Sequence, residues 1–87
     1  MADHRTSDVD RLQRDLDELE RLRRWSRVVP TDPEVRLIFA RKLLDCRRAE
    51  EAILEIRAVI TMVPNHLEAR KLLESAHALQ SAGRTTA

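Results

Sequence analysis

Apolar side chains recur at spacings of three and four along nearly the whole chain, which places them on helix faces and excludes the alternation of a strand. Val9, Leu12, Leu16, Leu19, Leu22 and Trp25 make the first such stripe. Thr6 and Ser7 are its capping candidates, Asp8 and Asp10 suit the positive end of the helix dipole, and the helix is predicted to reach about Val29. The heptad spacing within this stripe holds only from Val9 to Leu19, too short for a long coiled coil. Asp32-Pro33-Glu34 opens a second helix, with a capping acid and a proline where its missing N–H is harmless, running to about Cys46. A third, from about Arg48 to Met62, carries Ala49, Ala52, Ile53, Ile56, Val59, Ile60 and Val63 in one arc. Leu54, Ala58 and Met62 form a second stripe on it, which predicts cover on two faces. Asn65 and Glu68 have capping-box spacing at the head of a fourth helix bearing Leu67, Leu72, Leu73, Ala76 and Leu79, with Gly83 just past its end.

The segments repeat. Val28-Val29-Pro30 and Met62-Val63-Pro64 lie 34 residues apart, and the same shift brings Arg23 onto Arg57, Glu34 onto Glu68 and Arg36 onto Arg70. Leu19 falls on Ile53, Leu22 on Ile56, Val35 on Ala69 and Phe39 on Leu73. A period of this length marks stacked helical hairpins that bury their apolar faces on their neighbours. With Pro33 opening and Pro64 closing a unit, Phe39-Ala40, Leu43, Ala52 and Ile56 fall where the tetratricopeptide repeat (TPR) carries Leu-Gly, Tyr, the close-packing Ala and an aromatic. The chain thus resembles the TPR family over one full repeat, residues 33–66, with a half-repeat on each side. It departs from the pattern where Arg36 replaces the Trp and Arg47 replaces a turn Gly. The resemblance implies an all-α fold, a four-helix antiparallel stack that is a fragment of an α-α superhelix. The expected division is a disordered 1–6, a single domain over 7–80 and a flexible tail over 81–87. Glu18, in the place of the close-packing Ala52, predicts that the first helix has no helix tucked behind it and serves as an end cap, leaving the fourth helix more open.

Candidate sites follow. The resemblance implies a concave ligand groove at Glu34, Leu37, Arg41, Leu44 and Asp45, continued on the last helix by Glu68, Lys71, Ser75 and Ala78. Leu37 and Leu44 form an apolar stripe that is either covered by the first helix or open as a groove or self-association surface. The Lys and Asn pattern with which some TPR domains clamp a C-terminal carboxylate is absent. Arg21, Arg23, Arg24 and Arg27 crowd the end of the first helix as a patch for an acidic partner or phosphates, or as cations that merely suit the helix terminus, and Trp25 is expected in the core.

Composition narrows the function. The 87 residues carry a net charge of +1, which gives little support to nucleic-acid binding. A domain of this size buries only roughly 60 to 65% of its unfolded surface, so a partner is expected to stabilise it. Lone Cys46 forms no internal disulfide and fits a reducing, cytoplasmic setting. The preference for arginine over lysine suggests a GC-rich bacterial genome. No stretch is apolar enough to span a bilayer, and the N-terminus lacks a signal core. His4, His66 and His77 have no ligand spacing, the single glycine makes no phosphate loop, and Glu50-Glu51 lie in a charged turn, so no metal, cofactor or enzymatic activity is expected. The leading expectation is a protein-binding adaptor, scaffold or chaperone-like subunit. The alternatives are a self-associating homo-oligomer and, less favoured, a nucleic-acid-binding domain using Arg21 to Arg27.

Overall fold

A computed structural model describes residues 4–84, with side chains from Asp8 to Gly83. The elements are α1 (His4–Val28), α2 (Pro33–Asp45), α3 (Ala49–Met62) and α4 (Leu67–Arg84), and no strand occurs among the described residues. The fold is all-α. Each helix packs on the next in the chain, and α2 also touches α4 along a narrow strip. Beneath them lies one core, with Leu19, Leu37, Phe39, Leu43, Ile56 and Val59 almost wholly buried.

The helix ends follow local chemistry. Asp32 caps α2, its Oδ1 accepting from the N–H groups of Glu34 (3.0 Å) and Val35 (3.3 Å). At the other end the Arg47 N–H donates to Leu44 O (3.0 Å) and the Arg48 N–H to Leu43 O (2.8 Å), the paired bonds of a Schellman motif. That motif needs a left-handed residue, and Arg47 supplies it at φ 62°. The sharp turn expected of a glycine is therefore made without one. Val63, forced out of helical geometry by the proline that follows, ends α3 at φ −133°.

The 34-residue period is present in the hydrogen bonds of the two long turns. Val29 N–H donates to Trp25 O and Val63 N–H to Val59 O, Asp32 N–H to Val29 O and His66 N–H to Val63 O, and Arg36 N–H to Asp32 O and Arg70 N–H to His66 O. Side chains repeat as well. Arg36 Nε donates to Pro30 O (2.6 Å) and Arg70 Nε to Pro64 O (2.9 Å), each arginine folding back six residues to hold the turn that precedes its helix.

Several boundaries differ from expectation. The α1 helix starts at His4, so Thr6 and Ser7 lie inside it and are not its cap; residues 1–3 fall outside the described residues. His66 caps α4 in place of Asn65, its Nδ1 accepting from the Ala69 N–H at 3.2 Å. Gly83 sits within α4, which continues to Arg84, so 81–84 are helical and 85–87 lie outside the described residues. Leu54 is 66% exposed because it shares the solvent-facing stripe of Glu50, Arg57 and Thr61. The two-sided cover of α3 comes instead from one broad arc that reaches both α2 and α4. The α1 stripe is only partly used. Lys42, close to the end of α2, meets Asp15 and Glu18, so the turns of α1 before Asp15 project past α2 and leave Val9 and Leu12 exposed.

A left-handed non-glycine residue is strained, and glycine removes the strain while adding unfolded-state entropy. Arg47→Gly is expected to stabilise the protein by about 0.5–1 kcal/mol, a rise in Tm of roughly 3–6 °C for a domain this small, read by calorimetry. An unchanged or lowered Tm would contradict the strain assigned to Arg47.

Candidate functional site

Two of the residues expected to line a groove, Glu34 and Arg41, reach toward α4, and they do so through charged contacts. Glu34, Leu37, Arg41 and Leu44 recur at three and four along one face of α2. The outer members of that face reach α4. Glu34 Oε1 lies 3.1 Å from His66 Nε2, and Arg41 pairs with Glu68. Since His66 Nδ1 accepts the Ala69 N–H, the ring hydrogen belongs on Nε2, pointing at Glu34. One imidazole therefore both caps α4 and tethers it to α2.

Leu37 lies between these two bridges and is fully buried, so it is no part of an open groove. The first helix does not account for its burial. Lys42, which marks the α1 side of α2, is about 140° around the helix from Leu37 at 100° per residue. It is the α3 and α4 side that closes over Leu37. Leu44 on the same face is half-buried against the core. What remains exposed is Glu34, Arg41, Asp45, Glu68, Lys71, Ser75 and Ala78. An apolar ligand groove is thus replaced by a polar face.

The arginine patch divides. Arg23 is turned inward, paired with Glu51 of α3 and with Glu20 at 3.3 Å, with its guanidinium 5.3 Å from the Phe39 ring centroid. Its pKa is raised, first by the Glu51 hydrogen bond and against the effect of burial. It is a structural strut linking three helices. Arg21, Arg24 and Arg27 stay exposed, and none of them has a carboxylate within 4.0 Å among the described residues. Trp25 is beside them, 48% exposed and not in the core. The run of threes from Leu16 to Trp25 carries each successive residue about 60° around the axis, and by Trp25 the stripe has left the side that α2 covers.

Sequence reasoning missed the ion pairs that bind the helices along their edges. Lys42 Nζ sits 2.9 Å from Asp15 and 3.1 Å from Glu18, and Arg36 Nη1 3.2 Å from Glu55. A signal existed for the first. The 34-residue shift maps Asp15, Glu18 and Lys42 onto Ala49, Ala52 and Ala76, three buried alanines, so a charged triad replaces an alanine contact in the same register. A cleft of about 850 Å³ lies between the α2–α3 turn and the end of α4 and is lined by Arg47, Arg48, Glu50 and Leu79 among others. It contains none of the expected site residues. Among the described residues no group of three His, Cys, Asp or Glu is placed to hold a metal, and no helix is long and apolar enough to cross a membrane.

The Lys42 pKa is raised above its ordinary 10.5 by the hydrogen bonds to Asp15 and then Glu18, against burial. Its contribution to stability is complete below the unfolded value and is lost as pH rises through the higher folded one. The sequence has no tyrosine, and Lys71 is the only other lysine. Thermal melts from pH 9 upward should therefore show an alkaline loss of stability that Lys42→Met greatly reduces; an equal loss in both proteins would remove the triad from the account of the α1–α2 contact.

No protein-family model matches the chain, and no significant match is found among curated proteins or solved structures.

Proposed function

We propose that the chain is a non-enzymatic protein-interaction module, a TPR-like adaptor or chaperone-like subunit that holds a segment of another protein against the exposed face of α2 and α4. The observation that carries this reading is the recurrence of the turn hydrogen bonds and of the Arg36 and Arg70 latches at 34 residues. Such recurrence is what a stack of helical hairpins would produce, and the units of such stacks commonly present continuous binding surfaces. The ligand face consists of Glu34, Arg41, Asp45, Lys71 and Ser75, and its charged character favours a polar, hydrogen-bonding peptide over an apolar helix. The half-buried thiol of Cys46 suits a reducing, cytoplasmic setting.

Self-association is the weaker alternative, because the outer face of α4, with Arg70, Lys71, Glu74, Ser75 and His77, is exposed and polar. A polar outer face is what closes the end of a repeat stack.

The test uses a partner recovered by affinity capture. Lys71→Glu combined with Ser75→Glu changes two exposed side chains of α4 and should leave the helical content by circular dichroism unchanged. Binding of the captured partner is expected to weaken at least about tenfold by charge reversal on the contact face. Undiminished binding by the folded double variant would rule out this face as the ligand surface.

A further inference from the structure

The side of α1 turned away from α2 exposes Trp25 at 48% and Val28 at 77%, beside Arg21 and Arg24. The repeat register identifies this surface. Shifted by 34 residues, Arg21 takes the place of Glu55, Trp25 that of Val59 and Val28 that of Met62. In α3, Glu55 holds Arg36 of α2 at 3.2 Å, Val59 is fully buried and Met62 packs against the core. The exposed face of α1 is therefore the counterpart of the face on which α3 receives α2.

We propose that this face of α1 docks an amphipathic helix of a partner protein, one that offers a carboxylate to Arg21 and apolar side chains to Trp25 and Val28. The charge requirement follows from the exchange of residues. Glu55 in α3 accepts Arg36, whereas Arg21 in the same place calls for an acid, and Arg24, in the place of Ala58, adds a second cation. Glu18 stands where the close-packing Ala52 stands in α3, but its carboxylate is drawn 3.1 Å to Lys42, toward α2. A second copy of the chain does not fit. The helix equivalent to α2 is α4, and in the same register it would set Arg70 against Arg21 and Glu74 against Glu18, like charges at both contacts. The inference rests on the repeat reading of the chain and adds to it a second, separate surface.

Trp25 is the only tryptophan, so its fluorescence reports on this face alone. The probe is a synthetic peptide of residues 31–48 carrying Arg36→Glu, held helical by a cross-link between positions 34 and 38, and titrated into the full-length protein. A saturable blue shift is expected, with affinity at least about tenfold above that of the same peptide with Arg36 retained, and Arg21→Glu in the protein should reverse the preference. Several results would overturn the proposal: no shift at millimolar peptide, equal affinity for the two peptides, or a preference unchanged by Arg21→Glu. Concentration-dependent dimers in light scattering with burial of Trp25 would give the face to a second copy instead. Tighter binding of a single-stranded oligonucleotide or of anionic vesicles than of the acidic helix would likewise overturn it. A partner held through Lys71 and Ser75 with no response at Trp25 would end this inference and leave the adaptor reading intact.

Discussion

The burial of α3 between α2 and α4 is the constraint on which the other helices depend. It is the most apolar helix of the four, and its broad arc from Ala49 through Ile53, Ile56 and Val59 faces both neighbours. Ala40 on α2 and Ala52 on α3 have no exposed surface, which fits a close approach of the two backbones. Once that hairpin closes, α4 has an apolar surface to receive Ala69 and Ala76, and α2 presents its other side to α1.

Charge then does at the edges what apolar packing does in the middle. Arg36 joins α2 to α3, Arg23 joins α1 to α3, Lys42 joins α1 to α2, and the Glu34 and Arg41 pairs join α2 to α4. Exposed ion pairs contribute little each, on the order of 0–1 kcal/mol, so these set register more than stability. Lys42 shows the logic. Where α3 and α4 bury alanines, α1 and α2 place Asp15, Glu18 and Lys42, so a charged contact occupies the same register.

Much of the fold was legible in the residues. The four helices, the proline-marked turns and the 34-residue period follow from spacing and turn chemistry, because apolar periodicity and proline geometry act locally. The candidate site was legible only as a set of positions. Leu37 lay on the expected face yet is buried, because a seven-residue spacing of leucines says they share a side and not which helix lies over it. Trp25 was placed in the core as the last member of the first apolar stripe, but a run of threes drifts around the helix and carried it into solvent. His66 as a cap and Arg47 in the left-handed region went unforeseen because neither residue type is favoured there.

By itself the sequence determined an all-helical chain, its turns and its repeat, since these depend on each residue and its near neighbours. Only the tertiary structure decided which apolar faces are closed, which arginines are tied down and which faces stay exposed. Those outcomes depend on where distant helices come to lie, and residues 27 or more apart, such as Lys42 and Asp15 or Arg41 and Glu68, meet only after the chain has packed.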